Sequence, residues 1–284
     1  MPLNKKISIC YFINEIKYQI ILISAFAVLI GLIDSHSIFK KVSLPLSIPT
    51  LIGTAVSILL AFRISKSYER WWEARTVWGA IVNDSRTLIR QLIEFMPIEN
   101  ENVIKEFAQR HIIWNYALGE SLRRLPLSEK VQKYIDFYKI NAVNIPNALL
   151  DAHSLQIKQF FNQGLVTELK QMQLNETISR LCDSMGKCER LKNTVFPQSY
   201  SILVHILIYL FTFILPFGLE DSQQFVEIAA TIIIPSMFIA IEKTAIIMQN
   251  PFENSPVDTP MTSLAKAIEI NIWQMIGNKD VSFE

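Results

Sequence analysis

Four stretches without a charged side chain punctuate this sequence: 18–33, 42–62, 193–219 and 228–241. A helix that crosses a bilayer needs about 20 predominantly apolar residues. Windows 42–62 and 193–219 reach that length outright. The other two reach it with their flanks: Phe12, Ile13 and Ile16 for the first, Phe225, Val226 and 245–248 for the last. Buried helices of a soluble α protein are the alternative, and it must explain two windows longer than a usual globular helix. Composition favours the membrane. Half of the residues (50%) are hydrophobic and only 19% are charged, where soluble domains carry about 25% charged residues. The mean hydropathy is +0.27. Net charge is +1, so no strong field points to a nucleic-acid partner. The first apolar run starts near residue 18 without a small-residue cleavage site, which predicts a retained helix rather than a signal peptide.

Flanking cations orient the spans. Lys5, Lys6 and Lys17 precede the first, and Arg63, Lys66, Arg70 and Arg75 follow the second. Lys187, Arg190 and Lys192 precede the third, and the connection 220–224 has no Lys or Arg. Cations stay on the cytoplasmic side. Both termini and 63–192 are therefore expected inside, with Lys40 and Lys41 of the first outer loop dissenting. The expected organisation has four parts: 1–66 with spans one and two, 67–192 as a cytosolic helical domain, 193–249 with spans three and four, and 250–284 as a cytosolic C-terminal segment.

The central region has helical periodicity and no alternating strand pattern. Trp71, Val77, Trp78, Ile81, Leu88 and Ile89 recur near helical spacing over 67–96, a run that continues the second span and ends at Pro97. Further helices are predicted over 101–125, ended by Pro126, over 129–140 with Ser128 as cap, over 147–162 before Gly164, and over 165–193, feeding the third span.

Motifs for chemistry are mostly missing. Cys10, Cys182 and Cys188 form no CxxC pair and read as free thiols. His36, His111, His153 and His205 are dispersed. Asp151 and His153 read as a solvated helix surface ahead of a metal site. His205 lies within the third span, where it is either functional or hydrogen-bonded to a neighbouring helix. No phosphate loop, nucleophile elbow or HExxH occurs. The expectation is a non-enzyme with no cofactor and no metal.

Two features are richer. Trp71 and Trp72 suit a membrane-interface belt, but the dense Tyr68-Glu69-Arg70 charges beside them need partners on neighbouring helices. Glu242 and Lys243 are adjacent opposite charges in an apolar run, so each needs its own partner or water.

The stretches SYERWWEAR and WGAIVNDSR carry Arg70, Trp71, Trp72, Glu73, Arg75, Trp78, Asn83 and Arg86. They resemble the hallmark element of the bestrophin ion-channel family. YSILVHILIYLFTFILPFGL, EKTAIIMQNPFE (with Lys243, Asn250, Pro251 and Phe252) and DTPMTSLAKAIEIN match in the same order. The resemblance spans essentially the whole chain and is nearest to the prokaryotic branch. It implies an all-α membrane protein in the bacterial inner membrane, with four spans and a helical cytosolic domain. It also implies a homopentamer around one central pore, whose partners are itself, the bilayer and the permeant monovalent ions.

By the resemblance, the second span lines a narrow neck at Thr54, Ile58 and Phe62, counting back from Arg70. That spacing stacks them on one helix face. The alternative is that this face packs on spans one and three. Five copies of Ile58 and Phe62 would form apolar rings that gate by dewetting. Thr54 departs from the apolar residue usual there. A second, cytosolic constriction falls on Met172, counting back from Cys188. The acidic run that clasps calcium in animal members is thin here, with only Glu253 and Asp258, so no such clasp is expected and the segment reads as a subunit brace. The neutral neck does not choose between a sodium-type cation and chloride, with cations slightly favoured in this branch. A secondary transporter and a non-conducting scaffold are the rival functions. Pro45 and Pro49 suit a helix entrance better than the midplane break of a transporter.

Overall fold

The computed structural model describes residues 9–34, 44–194, 196–219 and 224–277. Lys5, Lys6, His36, Lys40, Lys41 and the connection 220–223 lie outside the described residues. Within them the chain is helical, with no strand. The helices are α1 (Ile9–Asp34), α2 (Ser47–Phe95), α3 (Glu101–Arg123), α4 (Glu129–Tyr138) and α5 (Ile145–Asn162). They continue with α6 (Glu168–Asn193), α7 (Gln198–Ile214), α8 (Gln224–Gln249) and α9 (Met261–Met275).

Two compact units result. One holds the chain to Trp71, 195–251 and 255–257; the other holds 72–194, 252–254 and the rest from Asp258. In the first unit, α1, the first part of α2, α7 with the short helical turn after it (Gln198–Gly218) and α8 are long and apolar enough to cross a membrane. Ile16, Ile23, Val56, Leu60, Val204, Ile208 and Ile239 form its core. Yet only 22%, 22%, 33% and 28% of the residues in the four apolar windows are buried within the chain. A soluble core would bury most of them, so this apolar surface requires lipid or further protein. The chain is an all-helical membrane protein. Pro49 sits in the first turn of α2, where a missing N–H costs nothing. The apolar part of α2 then runs unbroken, while Pro235 lies inside α8.

The second unit is an ordinary helical domain around a full core. Trp78, Ile81, Leu88, Ile89 and Leu92 of α2 pack with Phe107, Ile112, Trp114 and Leu118 of α3, and with residues of α5, α6 and α9. Helix α9 is a finding beyond the sequence reading. Its Met261, Ala265, Ile268 and Ile272 repeat every three or four residues and seal the core against α3. Ser128 stands at the N-cap of α4, but its side chain makes no capping bond. Its backbone N–H instead donates to Glu120 Oε2 at 3.0 Å. The link after α5 turns at Gly164, with φ 70°, and a Cβ there would meet nothing within 4 Å. Gly164→Ala is therefore expected to cost about 1 kcal/mol from the left-handed backbone alone, visible as a small drop in thermal midpoint without loss of assembly.

Candidate functional site

The face predicted to line the neck is set by the helix repeat of α2. Ile58 and Phe62 are 53% and 64% exposed within the chain, and Thr54 is exposed above them. Val56, Leu60, Arg63 and Ser67 on the other side are buried. Packing on α1 and α7 thus does not bury the 54/58/62 face. The hydroxyl of Thr54 donates to Thr50 O at 2.8 Å, and Ser57 donates likewise to Gly53 O. Their protons are engaged within the helix, so what Thr54 presents outward is acceptor capacity. Gly53 lets α7 approach closely, since a Cβ there would lie 2.9 Å from the ring of Phe211.

Directly behind Phe62, Arg63 is buried and pairs with Glu242 Oε1 of α8 at 2.5 Å. Its second terminal nitrogen donates to Ser201 Oγ at 3.0 Å, and the guanidinium lies 5.4 Å from the Phe196 ring centroid. His205 Nε2 reaches the other Glu242 oxygen at 3.0 Å. A carboxylate of a neighbouring helix thus lies within reach of the His205 ring. Lys243 has a separate partner, Glu15 of α1, at 2.9 Å. Tyr200 ties α7 to α2 by donating to Leu59 O at 2.5 Å. Both charges of the Glu242–Lys243 step thus have their own partner, as adjacent helix positions require.

The tryptophan element is anchored. Arg70 Nε donates to Gln249 O at 3.1 Å and Trp71 Nε1 to Val257 O at 2.7 Å. Glu69 departs from expectation: it pairs at 2.8 Å with Lys66 of its own helix, both well exposed, instead of with a neighbouring helix. Trp72 is 56% exposed and Arg75 half-buried. In the second unit, Glu73 pairs with Arg190 at 2.6 Å and Asp84 with Arg180 at 2.9 Å. Arg86 Nε donates to Asn271 Oδ1 at 2.9 Å, tying α2 to α9. Trp78 is fully buried in the core and Asn83 is exposed. Of the following motif, Asn250 is exposed, while Pro251 and Phe252 are buried.

Met172 stands 62% exposed on α6. Cys188 is buried, and burial first, then Glu189 and Glu73, pushes its thiol up to about 12, which makes it inert. Cys10 and Cys182 are exposed and take part in no disulfide. In the 253–258 segment each carboxylate has one partner, while Asp258 Oδ1 is buried without a hydrogen bond among the described residues. Lys192 pairs with Glu253 at 2.6 Å, and Asp258 accepts the backbone N–H of Asn254. Burial raises Asp258 to about 7, so it favours the folded state more as pH falls from 7 towards its ordinary value.

The histidines correct one expectation. His153 is not on a solvated surface: it is fully buried, stacked on Phe107 at 4.1 Å and 5.5 Å from the ring of His111. His111 is also fully buried and stacks on Trp114 at 5.3 Å. Burial lowers His111 to about 3 and lowers His153 as well, with His111 and Arg110 adding to the effect on His153. Their folded values lie below the unfolded value, so their stabilisation is complete above about pH 6.5 and is lost as pH falls. Below about pH 6.5 the fold is expected to lose stability on the order of 1 kcal/mol per pH unit as His111 is forced to take a proton. Melting curves against pH check this, and His111→Phe should flatten the acid limb.

The residues missed from sequence are those whose partners are remote: Glu15, Tyr200, Ser201, and the meeting of His111 with His153. Only Ser201 carried a hint, one helical turn before His205.

Residues 9–274 match the family described as "Bacterial/Fungal Bestrophin protein". The voltage-dependent anion channel-forming protein YneE of Salmonella typhi is 29% identical over 238 residues, covering 82% of this chain and 77% of that protein. A voltage-dependent anion channel-forming protein of Synechocystis is 26% identical over 281 residues, covering 93% and 88%. The crystal structure of a bacterial bestrophin homolog from Klebsiella pneumoniae superposes with a TM-score of 0.85 at 24% identity, covering 92% of this chain and 98% of that one.

Proposed function

Because the chain belongs to the bacterial/fungal bestrophin family, we propose that it is the subunit of an ion channel that conducts monovalent ions through a hydrophobic neck. The subunits assemble as a homopentamer around one central pore in the bacterial inner membrane, with both termini cytoplasmic and 67–192 as the cytosolic domain. The observation that carries this is the α2 face of Thr54, Ile58 and Phe62: apolar at two of three positions and left exposed by its own chain. Apolar rings offer no ligand to replace an ion's hydration shell, so they gate by dewetting. Met172, exposed on α6, supplies a second, flexible ring. Glu253 and Asp258 are engaged by Lys192 and Asn254, which supports gating without an animal-type calcium clasp.

The names of the relatives support anions such as chloride as the permeant species. A sodium-type cation is the second reading, favoured by Thr54, whose hydroxyl donates inward and leaves acceptors facing out. Planar-bilayer recordings of purified protein under an asymmetric NaCl gradient decide the sign from the reversal potential. Discrete steps support the channel, slow saturable exchange would instead mean a transporter, and silence a scaffold. A detergent-corrected mass other than about five subunits refutes the pentamer.

A further inference from the structure

Helix α2 runs unbroken from Ser47 to Phe95, so its register carries the neck face past the end of the neck. Each residue turns the helix by about 100° and advances it by about 1.5 Å. Glu69 is the seventh residue after Phe62. That brings it back to within about 20° of Phe62, roughly 10 Å further along the axis. It lies equally close to the direction of Ile58, again within about 20°. Ser65 falls on the same stripe between Phe62 and Glu69. Thr54, Ile58, Phe62, Ser65 and Glu69 are all exposed within the chain, while Val56, Leu60, Arg63 and Ser67 are buried on the other side. One exposed stripe of a single helix thus leads from the neck to Glu69.

The charges met along this stretch are few. The stretch 42–62 has none, and Arg63 is buried on Glu242. The first exposed charges after Phe62 are Lys66 and Glu69. Lys66 Nζ donates to Glu69 Oε2 at 2.8 Å, and the two side chains are 64% and 57% exposed. They do not share a direction. Measured from Ile58, Glu69 lies about 20° round the helix and Lys66 about 80°. The carboxylate therefore stands in line with the neck and the ammonium stands on its flank. The pair sums to zero, but the nearer charge dominates at short range. An exposed pair of this kind contributes little to stability, so either side chain can be changed without loss of the fold.

We propose that Glu69 is a charge-selecting residue of the conduction path, standing at the end of the neck and biasing it towards cations, with Lys66 as the flanking charge that limits the bias. This rests on the channel reading and on the neck face of α2. In a pentamer five carboxylates then ring one mouth, and charge of one sign raises the local concentration of its counter-ion. The rings of Ile58 and Phe62 carry no charge of their own, so this is the first point below the neck where the sign of the ion is read.

The test is the reversal potential of the purified full chain in planar bilayers under an asymmetric KCl gradient. Glu69→Gln leaves Lys66 uncancelled. It should move the reversal potential towards the anion equilibrium potential, with a several-fold rise in the anion-to-cation permeability ratio. Lys66→Met leaves the carboxylate uncancelled and should move it the other way. The exchanged pair, Lys66→Glu with Glu69→Lys, keeps the net charge but puts the cation in line with the neck, and should shift towards anions. These shifts should shrink between about 0.1 M and about 1 M salt, as the screening length falls from about 10 Å to about 3 Å. A Glu69→Gln channel that keeps the wild-type reversal potential overturns the proposal. So does an exchanged pair that behaves like the wild type, which would mean that only net charge is read. Either result beside a Phe62→Ala channel of altered current leaves the neck standing and removes Glu69 from the path. A wild type that passes no current overturns the channel reading itself, and the proposal falls with it.

Discussion

Arg63→Met is expected to destabilise the protein by about 3–5 kcal/mol, the usual cost of leaving one partner of a buried ion pair alone. The reason lies in what remains. Glu242 is 3% exposed, and with Arg63 gone its charge keeps only the half-exposed His205 and no water shell. Ser201 loses its donor as well. The readouts are the yield of assembled protein and its thermal midpoint in detergent. The double variant Arg63→Met with Glu242→Met removes both charges and fills the same space with apolar groups, so it should recover most of the loss. If the single variant assembles and melts like the wild type, the pair does not hold α2 to α8. If the double variant is no better than the single, packing of the arginine stem matters more than charge.

Phe62→Ala should do the reverse at the very next position. The side chain is 64% exposed in its own chain, so truncation removes little packing within it, and stability should change by less than about 0.5 kcal/mol. Conduction should change strongly. Five phenyl groups lost from one ring widen and wet the constriction, and each 1.4 kcal/mol removed from a barrier is worth tenfold in rate. A rise of about tenfold in current per channel, or in open probability, is expected in bilayer recordings. Ile58→Ala should act in the same direction and more weakly, since it deletes less surface from its ring. Unchanged conductance and gating in both variants would refute the neck assignment. The opposite profiles of residues 62 and 63 are the sharpest consequence of the helix geometry: one faces away from the chain, and the other faces its buried charge.

How much was legible in the sequence differs from part to part. The four apolar windows, the long helix through 67–96 and the helices around Pro97, Pro126 and Gly164 follow from local physics. Spanning length, helical period and proline or glycine punctuation act over a few residues. Helix α9 was as periodic, but its repeat of Met261, Ala265, Ile268 and Ile272 lies in a short segment read only as a motif. His153 was misread because a lone histidine on a helix looks solvated until another element covers it, here Phe107 and His111 of α3. Glu69 was misread for the opposite reason: a cation three residues away, Lys66, satisfied it locally.

By itself, then, the sequence determined that this chain spans a membrane, that the rest is helical, and that α2 presents Thr54, Ile58 and Phe62 on one face. Hydrophobicity and the helix repeat depend on neighbours along the chain. The tertiary structure alone decided which side of α2 its own helices bury, and that one carboxylate, Glu242, is shared by Arg63 and His205 from positions 179 residues and 37 residues away in sequence. No local rule specifies those partners. They are set by the cost of burying a charge, which is met only where packing brings an opposite charge within hydrogen-bond reach.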